Sequence, residues 1–365
     1  MECDGVRFTP RSGWSGGVRF FPLAIPQIML NLKINSLFSI VYSAHTDTSL
    51  APFVCPVPLI NATWNQKGVF LVNRANGCNS NENSLCEPRD LFIDNVNDNL
   101  YVADTRNNRI QKYSLIAPID NGQGTIGITV ASQGLIAPQS IFVDTRTDDM
   151  YILDYDKYEI KDLSEPAVYR VQLWHKNDKI GRILLSEKGE YGFGTYFSYL
   201  TLDKYMNIYV GTRFYIRKWL SSTNYSEKVL AAGNSELGGR GPNNLFNPCA
   251  FYIYNDLTLY IVDLSNHRIQ KWLANATEGT TLVENLIYAV GITADCNGNI
   301  YYTDTYDQAI FQYNIINNQR RMIVGDEHRL DKLETFFPLA IKIDKFGNIY
   351  VTTSAASQIM KFSIL

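Results

Sequence analysis

The stretch PRDLFIDNVNDNLYVADTRNNRIQKYS, at residues 88–114, decides how the rest of the chain is interpreted. It contains three short runs in which β-branched or aromatic residues alternate with polar ones: Leu91–Asp94, Leu100–Asp104 and Arg109–Ser114. Alternation with a period of two is typical of β-strands, and clusters of Asn and Asp between such runs are typical of turns. The stretch therefore predicts three strands in succession.

The same three-strand phrase returns five more times, and each copy is centred on a tyrosine. The six tyrosines are Tyr101, Tyr151, Tyr209, Tyr260, Tyr301 and Tyr350, and their successive spacings are 50, 58, 51, 41 and 49 residues. A fourth strand with a weaker pattern follows each of the first five phrases. Repeats of this length with several strands each indicate a β-propeller, in which every repeat is one blade.

The sixth phrase has no fourth strand after it, because the sequence ends at Leu365. A strand of the right kind stands at the other end of the pattern, at Lys67–Asn73. We therefore predict an all-β fold over residues 57–365, a six-bladed β-propeller of four-stranded antiparallel blades. In it Val69–Val72 lies alongside Ile359–Phe362, so that the N-terminal strand completes the last blade and leaves no open edge there.

Residues 1–56 do not share the repeat and are predicted to be an N-terminal extension. Segment 29–44 reads MLNLKINSLFSIVYSA, with one positive charge, a short apolar run and small residues at Ser43 and Ala44. This order resembles a secretory signal and predicts a secreted protein, with a cytoplasmic location as the alternative. The other interpretation of the segment is an apolar strand that packs on the main domain.

Charge and hydropathy exclude two classes of partner. Lys and Arg number 33 against 36 Asp and Glu, which gives a formal net charge of −3. The chain therefore lacks the basic field that holds nucleic acid by its phosphates, and no nucleic-acid partner is expected. No run approaches the roughly 20 apolar residues that cross a bilayer, so no membrane span is expected either.

The six cysteines contain no CxxC pair, and the four histidines are scattered singly, so no zinc site is predicted. Cys78 and Cys86 flank a short loop rich in Asn and Ser and are predicted to form a local disulfide. The alternative is a pair of exposed thiols. Cys249 and Cys296 lie near strand ends and are interpreted as buried thiols, although their pairing and that of Cys3 and Cys55 stay open.

Two turns between a second and a third strand carry a specific motif. Residues 104–112 read DTRNNRIQK, and residues 263–271 read DLSNHRIQK. Both resemble the NHL repeat, in which an inner strand is followed by the pattern YVAD-x-x-N-x-R-I. The resemblance implies a propeller that serves as a protein- or RNA-binding platform or, in relatives, as a lyase or hydrolase.

The motif contains an acid and a base that recur from blade to blade: Asp104 with Arg109, and Asp263 with Arg268. A catalytic acid or an anion clamp is one interpretation of these pairs. A residue type that is repeated once per blade usually serves the blade, so we predict structural pairs that bridge the turn by charge-assisted hydrogen bonds. His267 lies inside the motif and is predicted to be a turn residue.

Enzymes built on six-bladed propellers place metal ligands or acid–base groups at the axis, on the innermost strands and their loops. Here those strands are predicted to be almost wholly apolar, and Lys342 is the only charge inside one. Acids come at strand ends, where Asp is a turn former: Asp94, Asp144, Asp203, Asp295 and Asp344. We therefore predict no catalytic residue, no metal and no cofactor.

The connections between strands divide between the two faces of an antiparallel propeller. We call the face with the first-to-second and third-to-fourth connections the turn face, and the opposite one the loop face. Three N-glycosylation sequons begin at Asn61, Asn224 and Asn275, and all three lie between a third and a fourth strand. Glycans there would cover the turn face and leave the loop face open.

The loop face has the longest connections: residues 74–88, 154–167, 187–196, 233–248 and 326–337. Long polar and aromatic loops on a rigid scaffold are the usual place for recognition. The predicted ligand anchors are Tyr155, Tyr158, Tyr191, Phe193, Tyr196, Phe214 and Tyr215. The alternative for each is packing over the blade edges.

These observations favour a non-catalytic, secreted, monomeric NHL-type propeller that binds a protein or peptide ligand on its loop face. The first alternative is an intracellular scaffold, like the NHL region of tripartite-motif ubiquitin ligases, without a RING or B-box array in this chain. The second alternative is a lyase or hydrolase with an axial metal.

Overall fold

The computed structural model describes residues 56, 58, 61–72, 78–116, 125–156, 168–188, 199–234, 238–325, 336–353 and 357–365. All of them belong to the compact unit Thr48–Leu365. The signal-like segment 29–44 lies outside the described residues. Regular structure in the described part of the chain consists of 24 strands and three 3-10 helices: Thr105–Asn107, Ser221–Thr223 and Leu264–Asn266.

The strands form six four-stranded antiparallel sheets, which are the blades. Blades 1 and 2 contain β2 (Pro88–Asp94), β3 (Asn99–Asp104), β4 (Arg109–Ser114) and β5 (Ile128–Ala131), then β6 (Ser140–Asp144), β7 (Asp149–Tyr155), β8 (Val168–Trp174) and β9 (Arg182–Lys188). Blades 3 and 4 contain β10 (Leu200–Leu202), β11 (Ile208–Gly211), β12 (Tyr215–Trp219) and β13 (Lys228–Gly233), then β14 (Pro248–Ile253), β15 (Leu259–Asp263), β16 (Arg268–Trp272) and β17 (Thr280–Val283). Blades 5 and 6 contain β18 (Ala289–Ala294), β19 (Asn299–Asp304), β20 (Ala309–Asn314) and β21 (Gln319–Val324), then β22 (Pro338–Ile343), β23 (Ile349–Thr353), β24 (Gln358–Phe362) and β1 (Val69–Phe70).

The predicted fold is confirmed, including the use of the N-terminal strand in blade 6. β1 pairs with β24, with Val69 opposite Lys361 and Phe70 opposite Met360. The backbone N–H of Leu71 continues this pairing by donating to the Ile359 carbonyl at 2.9 Å. β1 has only two residues and is shorter than predicted. The inner strands contact each other in cyclic order, and β22 contacts β2, so the ring is closed.

Three of the six tyrosines that mark the repeat hold the turn between the first two strands of their blades. Asp203 accepts hydrogen bonds from the Asn207 side chain at 2.9 Å and from the Tyr209 hydroxyl at 3.1 Å. The same arrangement recurs at Asp295, Asn299 and Tyr301 and at Asp344, Asn348 and Tyr350. These acids therefore organise hairpin turns and their own blades.

A glycine directly precedes the outer strand in four blades, and it lies against the aromatic residue near the end of the third strand. The pairs are Gly127 with Tyr113, Gly181 with Trp174, Gly279 with Trp272, and Gly68 with Phe362. A Cβ at any of these glycines would overlap the aromatic side chain. Gly68 shares this contact with the internal outer strands, which identifies β1 as a member of the same set.

Replacing Gly279 with alanine should lower the free energy of unfolding by about 1–3 kcal/mol, because the new methyl group overlaps the buried Trp272 indole. Denaturant unfolding measures the change. Gly239→Ala is the control, since a Cβ there meets its nearest atom at an ordinary 3.4 Å. Equal stability of the two variants would contradict this role for Gly279.

Candidate functional site

The Arg109 side chain fastens part of the loop face. Its Nε donates to the Asp104 carboxylate at 2.7 Å, and both side chains are buried. Its remaining nitrogens donate to three backbone carbonyls of the preceding loop, those of Ser80, Asn81 and Ser84, at 2.7–2.9 Å. The pair therefore orders the connection that leads into blade 1, in addition to its own turn.

The second motif repeats this arrangement. Arg268 donates to Asp263 at 2.8 Å and to the carbonyls of Arg240, Gly241 and Asn244. Neither guanidinium in these two pairs faces an open site. The structure thus gives both pairs a scaffold role.

Blade 2 contains a third pair that the sequence analysis missed. Arg170 donates to Asp154 at 2.5 Å and to the Gly134 carbonyl at 3.1 Å. The insertion between β7 and β8 moves this arginine 16 residues from its acid, so the local motif is absent. Blade 5 has Ala309 in the arginine position, and its Asp304 accepts directly from the backbone N–H groups of Ile287 and Tyr288 in the preceding loop.

The predicted disulfide between Cys78 and Cys86 is confirmed, with the two Cα atoms 4.4 Å apart. The interpretation of Cys296 as a buried thiol is wrong, since this residue is disulfide-bonded. Its backbone N–H also donates to the Pro56 carbonyl at 3.1 Å. Cys249 is a buried free thiol, and burial raises its pKa.

The predicted ligand anchors fall into three groups. Tyr155 and Tyr215 are only 4% and 6% exposed, because they belong to β7 and β12 and pack inside their blades. Phe214 is half-buried against the Phe246 ring at 5.7 Å. Tyr158, Tyr191, Phe193 and Tyr196 lie outside the described residues. Tyr155 and Tyr215 are therefore core residues with little surface for a ligand, which corrects the sequence interpretation.

An exposed apolar patch on the loop face was not predicted. It consists of Ile287, Tyr288 and Tyr306, and we call it the blade-5 patch; Tyr306 is 60% exposed. Ile287 and Tyr288 lie in the connection between β17 and β18, and Tyr306 lies in the connection between β19 and β20. The two connections are adjacent, because the Thr305 N–H donates to the Tyr288 carbonyl at 3.0 Å. Both connections are short and therefore lack the length that marks the other connections of the loop face as recognition loops.

The three sequon asparagines, Asn61, Asn224 and Asn275, are exposed in the structure. Asn224 and Asn275 lie between the third and fourth strands of blades 3 and 4, and Asn61 precedes β1 at the matching place in blade 6. The turn face also presents exposed apolar side chains: Val96, Ile116, Tyr205, Leu273, Ile316 and Phe346.

The axis is less apolar than predicted. β2 begins at Pro88, three residues before the predicted start, and Arg89 and Asp90 therefore lie inside an inner strand beside the expected Lys342 in β22. In each blade, one residue lies four positions before the residue that ends the first strand at its turn, which is Asp94 in blade 1. These six residues form a ring around the axis: Asp90, Ser140, Tyr199, Ala250, Gly291 and Ala340. It is polar in blades 1–3 and small in blades 4–6.

Polar groups from four blades meet in a buried network at this level. Lys342 Nζ donates to the Tyr199 hydroxyl at 2.6 Å and lies 3.8 Å from the Asp90 carboxylate. Asp90 accepts from the Ser140 hydroxyl at 2.5 Å and from the N–H of Leu91 at 2.8 Å. Burial raises the pKa of Asp90, although Lys342 and these hydrogen bonds lower it in part.

The charge states of the other two groups follow from the same surroundings. Burial alone would lower the pKa of Lys342, but the neighbouring Tyr199 and Asp90 outweigh it and raise that pKa, so the amine stays protonated. Burial raises the pKa of Tyr199, and Lys342 offsets only part of this effect, so the phenol stays neutral. At neutral pH the Lys342–Tyr199 pair therefore offers hydrogen-bond donors.

A small cavity of about 20 Å³ adjoins this network, with room for one or two water molecules. Its walls combine Lys342, Tyr199, Arg89 and Gln139 with apolar residues of blades 4–6. Within the described residues, no group of three or more His, Cys, Asp or Glu side chains is arranged to hold a metal ion. No helix in that part of the chain is long and apolar enough to cross a membrane.

Comparison with known proteins identifies the repeat. Residues 85–113 match the family model of the NHL repeat. The comparison with curated proteins gives no match. Similar solved structures include a structural genomics protein of unknown function from Bacteroides thetaiotaomicron, with 14% identity over 81% of this chain and 75% of that chain and a TM-score of 0.60.

Two further solved structures share the fold. An auxiliary nutrient binding protein from Bacteroides thetaiotaomicron is 11% identical over 77% of this chain and 70% of that one, with a TM-score of 0.53. A streptogramin B lyase is 12% identical over 77% and 95%, with a TM-score of 0.50. Such identities support the fold alone. The chain therefore contains an NHL repeat, which lies in the first blade of a six-bladed β-propeller.

Proposed function

We propose that this propeller is a non-catalytic module that binds a protein or peptide ligand on its loop face. The observation that carries the proposal is the blade-5 patch, in which two tyrosines and an isoleucine are exposed side by side. Tyrosine is enriched at the centres of protein interfaces, because it brings a large apolar ring and a hydroxyl at low entropic cost.

The backbone under the patch is fixed before any ligand arrives. The buried carboxylate of Asp304 accepts hydrogen bonds from the N–H groups of Ile287 and Tyr288 at 3.2 Å and of Tyr306 at 3.0 Å. One side chain thus holds both connections that carry the patch. A surface ordered in advance loses little conformational entropy on binding, which favours affinity.

Secretion fits the same proposal. Cys78–Cys86 is a disulfide, and Cys296 takes part in another, and structural disulfides persist in oxidising compartments. The three sequon asparagines are exposed, and glycans on them would occupy the turn face and leave the blade-5 patch accessible.

A lyase is the second candidate, and the axial Lys342–Tyr199 pair is the observation that favours it. A lyase needs a group that accepts a proton from the substrate. Lys342 stays protonated and Tyr199 stays neutral. Asp90 already accepts hydrogen bonds from Ser140 and Leu91 and forms an ion pair with Lys342. The network therefore supports binding through donors better than proton abstraction.

The proposal is tested by selecting peptides from a displayed library against the intact protein. Selected peptides should bind the variant Tyr288→Ala/Tyr306→Ala at least about 10-fold more weakly than the wild type, as expected for aromatic hot spots. The control Tyr205→Ala/Phe346→Ala removes two exposed rings from the turn face and should leave binding unchanged. Loss of binding in the control alone, or in neither variant, would contradict the proposal.

A further inference from the structure

The Lys342 ammonium at the axis has hydrogen-bonding capacity that the protein does not use. An ammonium has three N–H donors. Within the described part of the chain, the Tyr199 hydroxyl at 2.6 Å is its one hydrogen-bond acceptor. The Asp90 oxygen at 3.8 Å is an ion-pair partner beyond hydrogen-bond distance. Two donors of a largely buried cation are therefore left for another acceptor.

Tyr199 offers one more donor at the same place. Its oxygen accepts from Lys342, and the described residues provide no acceptor for its own proton. Both Lys342 and Tyr199 line the axial cavity, together with the small residues Ala250, Gly291 and Ala340. The cavity lining thus combines hydrogen-bond donors with residues of little bulk.

Asp90 takes none of these hydrogen-bond donors, although it is the ion-pair partner of Lys342 at 3.8 Å. Its carboxylate is already held by the Ser140 hydroxyl at 2.5 Å and by the N–H groups of Leu91 and Ile141 at 2.8 and 3.2 Å. A second acceptor can therefore approach Lys342 without displacing a hydrogen bond to Asp90. The cavity volume of about 20 Å³, which suits one or two water molecules, also suits the two oxygens of a carboxylate.

We propose that the axial cavity binds a carboxylate of the ligand through the Lys342 ammonium and the Tyr199 hydroxyl. This inference deepens the proposed function and rests on it: the ligand is a peptide or protein segment that inserts an acidic side chain or a C-terminal carboxylate at the axis. Charge-assisted hydrogen bonds from a desolvated ammonium make such a group a specificity determinant. Arg89 lines the same cavity.

The first test uses acetate as the probe and the intact protein, with binding measured by ligand-observed NMR titration. Acetate should bind to the wild type, and acetamide, which has the same shape without the charge, should bind at least about 10-fold more weakly. Lys342→Met should weaken acetate binding at least about 10-fold. Lys345→Met removes one positive charge from the turn face and should leave it unchanged. Equal binding of acetate and acetamide, or no acetate binding in the wild type, would overturn the proposal.

Ala250→Leu covers the case in which Lys342→Met does not fold, because it fills the cavity and keeps every charge. We expect it to abolish acetate binding, and unchanged binding would overturn the proposal. The library-selected peptides distinguish a failure of the axial carboxylate site from a failure of the proposed binding function. Peptides that need Tyr288 and Tyr306 but bind Ala250→Leu like the wild type would refute the axial carboxylate site and leave the binding function standing.

Discussion

Replacing Arg109 with methionine should lower the free energy of unfolding by about 3–5 kcal/mol, the usual cost of leaving a buried charge without its partner. The substitution keeps the apolar stem and removes the guanidinium. Asp104, which is fully buried, loses its cation, and three loop carbonyls lose their donor at once. Denaturant unfolding at neutral pH, with the Cys78–Cys86 disulfide intact, measures the change.

Arg106→Met is the matched control, because Arg106 lies three residues away and pairs with Glu87 at the surface. Its side chain is 54% exposed, and exposed ion pairs contribute at most about 1 kcal/mol. A loss of comparable size in both variants would show that the buried position of Arg109 has no special role. A loss below about 1 kcal/mol in Arg109→Met would contradict our account of how the loop face is held.

Replacing Trp64 with alanine should cost about 3–5 kcal/mol of stability, the usual range for removing a large aromatic side chain from a core. Trp64 is 1% exposed, and its indole N–H donates to the Gly347 carbonyl at 2.8 Å. It lies just before β1 and bridges to Ile364, so it joins the two ends of the propeller. The loss is measured as a shift of the denaturant midpoint.

Phe346→Ala is the control for Trp64→Ala, since the Phe346 side chain is 66% exposed on the turn face. Its stability should stay within about 0.5 kcal/mol of the wild type, as is usual for surface positions. If Trp64→Ala were equally harmless, the segment before β1 would not be part of the blade-6 core.

The blades could be predicted because their signals are local and periodic. Each blade repeats an apolar strand and a middle-strand tyrosine, and five of the six have a turn acid between them. The structure shows that one such acid, Asp203, accepts a hydrogen bond from Tyr209. Because both residues of such a contact belong to one hairpin, they recur in the sequence at a fixed spacing. The closing strand followed from the same logic, because blade 6 lacked one strand and residues 67–73 supplied one.

The candidate site was harder to predict, because it depends on strand boundaries and on neighbouring blades. Asp90 was missed since it lies one residue before the predicted start of its strand, and boundaries are the least reliable part of such predictions. Arg170 was missed because an insertion separates it from Asp154. Tyr155 and Tyr215 are buried by tertiary packing, which their own sequence context does not report.

The blade-5 patch shows the converse case. Ile287, Tyr288 and Tyr306 stand in short connections that have no unusual composition. They form one surface because the Thr305–Tyr288 backbone hydrogen bond and the hydrogen bonds to Asp304 hold the two connections together. The exposure of these three side chains on one surface therefore depends on the folded blade and does not show in the local sequence.

Closure of the ring by the N-terminal strand is the claim on which the two faces, the axis and the patch all depend. Leu71 and Ile359 form a hydrogen-bonded pair, so the neighbouring Phe70 and Met360 form a non-hydrogen-bonded pair, whose Cα atoms approach to about 4.5 Å. This spacing suits a disulfide. The variant Phe70→Cys/Met360→Cys should therefore cross-link on mild oxidation and gain thermal stability.

The control Phe70→Cys/Lys361→Cys shifts one partner by a single residue, which turns its side chain to the opposite face of the blade. Mass spectrometry of the oxidised proteins measures both cross-links. We predict a disulfide between residues 70 and 360 and none between residues 70 and 361. No cross-link at 70 and 360, or equal cross-linking in both variants, would contradict closure of the propeller by its N-terminal strand.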